Sequence, residues 1–394
     1  MRRRSTNDMT HLHPDRAAQD AQPPARPSTP EHAVRLDKLL TAACADSSVS
    51  DLHIEEGQPI WARRKGKMQA VPGTVVPRAA ILDFLSHKQH ETGLAVDTLT
   101  KTLAARGDED AAVSVGDVRF RLNVYLTNDR KLALAVRRIS SQIPAIETLA
   151  LPGAYLGLVA QSKGLLLVTG ATGSGKSTTL AATLEHINCT RAGHIITLED
   201  PVEFQLSSKK SLVHQRQVRR DTKDFATSLR AALRQDPDVI LVGELRDADT
   251  VKTALDAANT GHLVLGTLHT SGAQQSIERL TSFFPPDGRG HVASVLSQVL
   301  LGVLSQTLVM RRDGAGRALA CELLINTPSV RSAIRDLKVS AIFGAMDTGR
   351  REGQKLMHHS LLELVRSNVI TSEEALFYAT DPVAMARELG ASRG

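Results

Sequence analysis

A glycine-rich segment constrains this chain more than any other feature of its sequence. It follows the apolar run Leu165–Val168, reads GATGSGKS over 170–177, and leads into the helix-forming residues 178–186. Strand, glycine-rich loop and helix is the order of a P-loop, in which backbone N–H groups and the positive end of the helix face phosphate oxygens. The pattern predicts a nucleotide-binding protein, because a tight turn with a chance lysine would not require all eight matching residues.

Each residue of this loop has an expected part in holding the nucleotide. Lys176 is expected to reach the β- and γ-phosphates, and the Ser177 hydroxyl is expected to ligate Mg²⁺. The glycines let the backbone approach the phosphate oxygens closely. The residues predicted to bind the nucleotide are Gly170, Ala171, Thr172, Gly173, Ser174, Gly175, Lys176, Ser177 and Thr178.

Length and composition narrow the class of protein further. A chain of 394 residues is too long for one ordinary core, so two or three domains are expected. The formal charge of +6 permits contact with nucleic acid, but the basic residues are spread along the chain without aromatic stacking residues, and no nucleic acid is expected. Cys44, Cys189 and Cys321 match no metal-binding or disulfide pattern. We find no signal peptide and no apolar run near the roughly 18 residues of a membrane span, which predicts a cytoplasmic protein without direct membrane insertion.

The residues ahead of the P-loop predict an α+β domain. Residues 1–33 lack apolar periodicity and are predicted to be a disordered tail, residues 34–142 the domain, and residues 143–152, which include Pro144 and Pro152, a linker. The predicted elements are helices near Val34–Cys44, Arg78–Gln89 and Asp97–Ala105, and strands at Ser47–Ile54, Pro59–Val71 (a hairpin turning at Lys65-Gly66-Lys67), Val118–Leu126 and Lys131–Ile139.

From the P-loop onward, strands alternate with helices, which predicts right-handed βαβ units on a parallel sheet. This core is expected over 153–285. A helical part is expected over 286–385, where an apolar stripe at helical spacing reaches Val303 and Leu304, and a tail over 386–394. The predicted strands are Gly164–Thr169, His194–Leu198, Val239–Gly243 and His262–Thr267, and the predicted helices are Lys176–Asn188, Asp224–Arg234, Ala248–Thr260, Ser271–Phe283, Ser329–Asp336, Gln354–Ser367 and Ser372–Ala379.

Acidic side chains follow two of the predicted strands. Glu199, Asp200 and Glu203 come after one strand, and Glu244 comes after another in a pattern that resembles a Walker B strand. A P-loop enzyme needs acids to hold Mg²⁺ and to orient the attacking water, and parallel sheets place their ligands at these strand ends. An exposed acidic loop is the alternative, and two clusters beside one P-loop make it the weaker one.

Two histidines flank the last predicted strand of the core. His262 and His269 lie seven residues apart, and no cysteine or third histidine stands at ligand spacing, so a metal site is disfavoured. We expect neutral hydrogen-bonding groups near the phosphates, with purely structural histidines as the alternative.

Four segments together resemble one family of proteins. The segments GATGSGKST, ITLEDPVEF (196–204), DPDVILVGELRD (236–247) and TGHLVLGTLHT (260–270) resemble the secretion ATPase superfamily, which powers type IV pili and type II and type IV secretion. The chain is most similar to the retraction ATPases of type IV pili, through the stretches RAGHIITLEDPVEF, SLRAALRQDPDVILVGELRDADT and SQTLVMRRDGAGR. The resemblance covers roughly residues 35–382.

This resemblance implies an architecture and an activity. The fold class would be α/β, with a PAS-like N-terminal domain, a mobile linker, a RecA-like P-loop core and a helical C-terminal region. The protein would be a homohexameric, Mg²⁺-dependent ATPase at the cytoplasmic side of the inner membrane. ATP hydrolysis would drive pilus retraction, and hence twitching motility, through an inner-membrane platform protein, alongside paralogous pilus ATPases.

The resemblance also implies roles for single residues. Glu203 would polarise the attacking water, with Glu199 and Asp200 in the same Asp box, and Glu244 would be the Walker B acid beside magnesium. His262 and His269 match the His box, which couples nucleotide state to movement. The residues that match arginines facing the nucleotide across the ring are Arg121 and Arg137, for which a surface position on a strand is the alternative.

Some positions depart from the retraction pattern. Arg219 and Leu337 stand where that pattern has glycine, and residues 354–361 match it poorly. These departures leave open a related ATPase of type IVB secretion or of thin pili, or a pilus assembly ATPase, although no tetracysteine insert of the assembly type is present. A P-loop kinase or transferase is disfavoured because no acceptor site or lid is visible, and a GTPase because no NKxD-like motif occurs.

Overall fold

The structure is a computed structural model that describes residues 36–391 except 45, 47, 65, 66, 117, 140 and 141. The predicted tail over 1–33, the last three residues and most of the predicted hairpin turn lie outside the described residues. The described residues form two sheets surrounded by helices. None of these helices has the length and apolar content needed to cross a lipid bilayer.

The N-terminal part is built on an antiparallel sheet. Its elements are helices α1 Leu36–Cys44, α2 Arg78–His87, α3 Gln89–Thr92 and α4 Val96–Arg106, and strands β1 Val49–Glu55, β2 Pro59–Arg64, β3 Lys67–Val75, β4 Asp108–Val115, β5 Val118–Leu126 and β6 Leu132–Ile139. The six described strands lie in the order β3-β2-β1-β6-β5-β4. Phe120, Leu122 and Val124 alternate on the buried face of β5. The other face of β5 carries polar side chains, as an antiparallel sheet covered on one side allows.

The second sheet carries the P-loop. The elements before residue 300 are α5 Gly153–Val159, β7 Gly164–Thr169, α6 Lys176–Thr190, β8 His194–Glu199, β9 Leu212–Gln217, α7 Phe225–Ala232, β10 Val239–Val242, α8 Ala248–Asn259, β11 Leu263–Leu268, α9 Ala273–Ser282 and α10 Pro286–Val299. The elements after it are β12 Leu300–Met310, β13 Arg317–Ile325, α11 Pro328–Arg335, α12 Ala341–Thr348, α13 Met357–Arg366, α14 Ser372–Tyr378 and α15 Pro382–Ala391. The seven described strands lie in the order β13-β12-β7-β11-β10-β8-β9, parallel except for β13.

Strand β7 is central and is buried along its whole length. Leu165 and Leu167 pack into the cluster formed with α7 to α12, whereas Leu166 and Val168 pack against α5 and α6 on the opposite face. Because both faces are covered, the strand is apolar at successive positions. This explains why the strand could be predicted without alternation in its sequence.

Residues 300–325 differ from their predicted structure. The helical prediction is wrong for Val303 and Leu304, which lie in β12 and pair with Leu167 and Val168 of β7. A continuous apolar run buried on both faces cannot be separated from a buried helix by periodicity alone. Strands β12 and β13 therefore extend the sheet that carries the P-loop, and helices resume at Pro328.

Smaller differences have local causes. Strands β4 and β9 were not predicted, since DEDAAVSV and LVHQRQ mix polar and apolar residues without clear alternation. Helix α15 runs through Ala391, although the sequence predicts a tail from residue 386. In the segment expected to be a linker, Ile146 is buried in a cluster with Tyr155 and Ile187.

The unusual residue Leu337 has the backbone conformation of a glycine position. Its φ is +53°, in the left-handed region, directly after α11. The side chain is 42% exposed, so it contributes little burial. An L side chain in this region costs about 1–2 kcal/mol, so glycine would fit this position with less strain than leucine.

We therefore expect Leu337→Gly to be more stable than Leu337→Ala by about 1 kcal/mol, or about 2–4 °C in melting temperature. Both variants lose the same exposed side chain, but only glycine relieves the left-handed strain. Thermal unfolding at one protein concentration measures the difference. Equal melting temperatures for the two variants would contradict the account of strain.

Candidate active site

The glycine-rich loop joins β7 to α6, where the sequence predicts it. Gly170 and Gly175 have φ values of +141° and +94°, which L side chains rarely adopt. A Cβ atom on Gly170 would lie 2.4 Å from the backbone oxygen of Gln306 on β12. Glycine at 170 is therefore required for the loop to pack against the neighbouring strand.

The Lys176 ammonium occupies this loop. Its Nζ donates to the backbone oxygens of Gly170, at 2.7 Å, and of Ala171, at 3.0 Å. Burial lowers the pKa of Lys176, while Glu244 and Glu203 oppose that shift by favouring the charged form. The two acids predicted at separate strand ends thus both act on the P-loop lysine.

Polar side chains of β12 form hydrogen bonds with the two elements that flank the loop, β7 and α6. Gln306 Nε2 donates to Thr179 Oγ1 at 2.8 Å, and the hydroxyls of Ser305 and Thr169 lie 2.6 Å apart. Ser305 and Gln306 were not predicted as site residues, because their segment was expected to be helical. Two polar residues inside an otherwise apolar run were the signal that could have identified them, since buried polar groups are normally paired.

One hydroxyl of the loop has no partner within the described part of the chain. Ser174 Oγ is buried without a hydrogen bond. A buried polar atom left unpaired is unfavourable, so a ligand that accepts its hydrogen bond is favoured at this position. This orphaned hydroxyl, the lysine and the helix N-terminus fit a bound phosphate group.

Glu199 is fixed at the end of β8. Thr197 Oγ1 donates to Glu199 Oε1 at 2.6 Å, and Gln215 Nε2 donates to the same oxygen at 3.2 Å. Burial raises the pKa of Glu199 to about 7, against the lowering effect of these hydrogen bonds. Glu199 is held at its own strand end by neutral partners, and it begins the segment 199–203, here called the acidic loop, which also contains Asp200 and Glu203.

Glu203 is paired with an arginine of the same chain. Arg121 Nη1 lies 3.5 Å from Glu203 Oε1, and Arg121 Nη2 lies 3.0 Å from Asp110 Oδ2. Arg121 extends from the polar face of β5, so strand β5 reaches the acidic loop directly. The sequence-based role of Arg121 on a nucleotide across a ring stays a prediction.

Arg137 lies elsewhere in the site. Its Nε donates to Asp51 Oδ1 at 2.7 Å, and the side chain lines a cleft of about 1050 Å³ together with Thr172 and Gly173 of the P-loop. Arg317, which sequence reasoning missed, lines the same cleft and donates to the Gly173 oxygen at 3.4 Å. The cleft therefore places cationic side chains beside the tip of the phosphate loop.

The two predicted histidines lie at opposite ends of the sheet, and only His269 lies beside Glu244. Glu244 Oε2 lies 2.7 Å from Arg246 Nη2 and 3.4 Å from His269 Nε2, at the carboxyl edge where parallel sheets bind ligands. His262 precedes β11, about 20 Å away along an extended strand, and its Nδ1 lies 3.0 Å from the Ala257 oxygen. His262 therefore lies far from the phosphate loop of its own chain, and the expectation that it lies near those phosphates is wrong.

The residues present fit Mg²⁺ bound together with a nucleotide. Ser177 and Glu244 offer the hard oxygen ligands that Mg²⁺ prefers, and Mg²⁺ commonly takes one or two protein ligands plus substrate phosphates and water. Over the described ranges, no group of three or more histidine, cysteine or acidic residues could hold a metal ion alone. This donor set needs phosphate oxygens to complete a coordination shell.

Comparison with known proteins identifies close relatives of this fold and sequence. The family model described as type II/IV secretion system protein matches residues 108–376. The type IV pilus retraction ATPase PilT of Pseudomonas aeruginosa is 41% identical over 340 residues, which are 85% of this chain and 96% of that protein. A twitching motility protein of Neisseria gonorrhoeae is 47% identical over 257 residues, covering 65% of this chain and 68% of its own length.

A solved structure extends the similarity to the fold. The crystal structure of the pilus retraction motor PilT with bound ADP superposes with a TM-score of 0.79 at 39% identity, covering 90% of this chain and 99% of that one. The predicted fold class, an α/β P-loop core with an N-terminal domain and C-terminal helices, is confirmed. The roles of the individual site residues stay predictions.

Glu199→Gln should stabilise the protein progressively as pH rises. The folded pKa of about 7 lies above the usual 4.5, so between these values the folded state holds a proton that the unfolded state releases. Wild-type stability therefore falls as pH rises through this window, whereas glutamine keeps the acceptor oxygen and carries no charge. We expect the variant to match wild type near pH 4.5 and to exceed it by about 1–3 kcal/mol at pH 8.

Thermal unfolding of both proteins across this pH range measures the effect. The exposed Glu278→Gln on α9 is the matched control for loss of one carboxylate, and it should show no such trend. A stability difference that stays constant from pH 4.5 to 8 would refute the assignment of the raised pKa to Glu199.

Proposed function

The chain belongs to the type II/IV secretion system protein family, and on this basis we propose that it is the Mg²⁺-dependent ATPase that drives retraction of a type IV pilus. The observation that carries the proposal is the Lys176 ammonium inside the glycine-rich loop at the carboxyl edge of the sheet, where its Nζ donates to the Gly170 and Ala171 oxygens and the charges of Glu244 and Glu203 favour its protonated form. The similarity over 96% of the P. aeruginosa retraction ATPase supports it. The reaction is attack of water on the γ-phosphate, which breaks the bond to the β-phosphate oxygen and yields ADP and inorganic phosphate.

Residues of this chain would bind the phosphates, hold Mg²⁺ and orient the attacking water. Lys176 and the backbone N–H groups of residues 170–178 hold the β- and γ-phosphates. Mg²⁺, bound by Ser177 and Glu244 with the phosphates, would supply positive charge to the developing phosphate oxygens. Glu203 accepts a hydrogen bond from the attacking water and orients it. Arg121 Nη1 lies 3.5 Å from Glu203 Oε1, so this ion pair competes with the water for the carboxylate.

The motor itself would be a homohexamer. ATP hydrolysis would shift the N-terminal part of one subunit against the ATPase part of the next, and Arg121 or Arg137 would neutralise charge on the neighbouring nucleotide. The ring would act at the cytoplasmic side of the inner membrane on a platform protein and would work alongside paralogous pilus ATPases. The wide interdomain cleft and its arginines support such movement.

A second candidate rests on the departures from the retraction pattern. Leu337 and the poorly matching residues 354–361 lie in the C-terminal part, far in sequence from the P-loop. A related ATPase of type IVB secretion or of thin pili would keep the hydrolytic site and change this part. A pilus assembly ATPase would keep the same site as well. Hydrolysis alone therefore does not discriminate, and a test in cells is needed.

Hydrolysis is tested with purified protein. We expect wild type to hydrolyse ATP with Mg²⁺ as a hexamer by native mass. Glu203→Gln should lower kcat by about 10²–10⁴-fold while nucleotide binding is retained, because only the orientation of water is lost. Lys176→Ala should lose binding and hydrolysis together.

The exposed Glu278→Gln is again the control and should hydrolyse ATP like wild type. Unchanged kcat in Glu203→Gln would remove Glu203 from the mechanism. A monomeric wild-type protein that is inactive with every nucleoside triphosphate would oppose the proposed motor.

The direction of the motor is tested by deleting the gene in its own host. If the ATPase retracts a pilus, the deletion strain should carry more surface pili and lose twitching motility, since assembly continues without removal. Wild-type protein should restore motility, and the Lys176→Ala variant should not. Loss of surface pili would instead show an assembly ATPase, and normal pili with normal motility would favour the secretion or thin-pilus candidate.

A further inference from the structure

Two arginines of β5 reach from the N-terminal part to the acidic loop of the ATPase part. The buried Arg119 donates through Nε and Nη2 to the Val202 oxygen, at 3.3 and 3.0 Å. Arg121 contacts the Glu203 carboxylate at 3.5 Å. The loop that carries the catalytic glutamate is therefore held by the neighbouring domain of the same chain.

Two further arginines reach in the opposite direction from the turn after β9. Arg220 Nη1 donates to the Glu91 oxygen in α3 at 3.1 Å. Arg219 forms ion pairs with acids of both parts, because Nη2 lies 2.8 Å from Asp200 and Nη1 lies 3.4 Å from Glu109. Of the two, only Arg219 contacts the acidic loop and the N-terminal sheet at once.

The backbone conformation of Arg219 and its two buried carboxylate partners indicate that its side chain is needed to pair with them. Its φ is +69°, a conformation that disfavours L residues other than Asn and Asp. The side chains of Asp200 and Glu109 are only 8% and 5% exposed, and buried carboxylates need ionic or hydrogen-bonding partners. The planar guanidinium, with several donors in a fixed fork, can satisfy both at once.

Strand β4 connects this contact to the catalytic glutamate. Glu109 pairs with Arg219, and the next residue, Asp110, pairs with Arg121 at 3.0 Å. Arg121 in turn holds Glu203. The attraction of the guanidinium favours a Glu203 side chain that faces Arg121, and a carboxylate held there is less free to turn toward the attacking water. The same strand therefore anchors both the acidic loop and the arginine that occupies Glu203.

We propose that Arg219 is a positioning residue that clasps the acidic loop to strand β4, keeps Glu203 paired with Arg121, and so restrains ATP hydrolysis until the two parts of the chain separate. The proposal deepens the proposed ATPase function and rests on it. It assigns to Arg219 a control of hydrolysis that is exerted from outside the nucleotide-binding loop. The nucleotide-binding residues themselves are untouched by the clasp.

Steady-state kinetics test the restraint. Arg219→Asn keeps a residue that tolerates the left-handed backbone, and Glu109→Gln removes the opposite charge. Each should raise kcat by about threefold or more, with KM for ATP within about twofold of wild type, because the clasp acts on Glu203 and not on nucleotide binding. The double variant should be no faster than either single variant, since both remove the same contact. Arg219→Lys should give an intermediate kcat.

Two arginine variants are matched controls. Arg220→Gln removes the adjacent contact between the parts, and Arg106→Gln removes the other partner of Glu109, an ion pair at 2.8 Å, without touching the acidic loop. Both should have wild-type kcat. An unchanged or lowered kcat in Arg219→Asn, or the same rise in the controls, would overturn the proposal.

Hydrogen–deuterium exchange tests the clasp without relying on activity. In the nucleotide-free protein, exchange over residues 200–204 should be faster in Arg219→Asn and Glu109→Gln than in wild type and in Arg220→Gln. Unaltered exchange in both variants would show that no clasp exists, even if the protein is an ATPase. Faster exchange together with a wild-type protein that hydrolyses no ATP would support the clasp as a contact, overturn its role in hydrolysis and contradict the proposed function.

Discussion

Strand β7 lies between β11 and β12 with both of its faces buried, and the position of the phosphate loop depends on this arrangement. The loop leaves the carboxyl end of β7 in the middle of the sheet, where Gly170 packs against the backbone of Gln306. Neighbouring parallel strands end at the same edge, so the acids that follow β8 and β10 come to the same place. Hydrophobic burial of one strand thereby sets the geometry of a site made almost entirely of polar groups.

Three of the acids at this edge are each engaged by an arginine, whereas Glu199 has neutral partners. Glu203 contacts Arg121, Glu244 contacts Arg246, and Asp200 contacts Arg219. Under the proposed function, a bound nucleotide and Mg²⁺ would compete with these pairs for charge. Arg121 belongs to the N-terminal part and Arg219 contacts it, so a change of partner for either arginine changes the contacts between the two parts. Under the proposed function, this exchange of partners would couple nucleotide binding to movement of the domains.

The phosphate loop could be predicted because its function is local. Its glycines, lysine and serine are consecutive, and the flanking strand and helix have clear apolar patterns. The bounds of β7 and β5 were likewise predicted, since Gly164–Thr169 and Val118–Leu126 are strongly patterned. Strand β12 was missed because its apolar run is equally compatible with a buried helix. Ser305 and Gln306 lie in β12 and were therefore missed as well, although they hydrogen-bond to Thr169 and Thr179 on either side of the loop.

The sequence by itself determined the nucleotide-binding loop, the acids expected around it and the family of the protein, because these depend on residues close together in the chain or on their order. Only the tertiary structure decided which distant residues meet. It placed His269 beside Glu244 and left His262 at the far end of the sheet. It also joined Arg219 to Glu109, 110 positions earlier in the chain. Such contacts follow from strand order and domain packing, which bring together residues whose sequence separation carries no information about their distance in space.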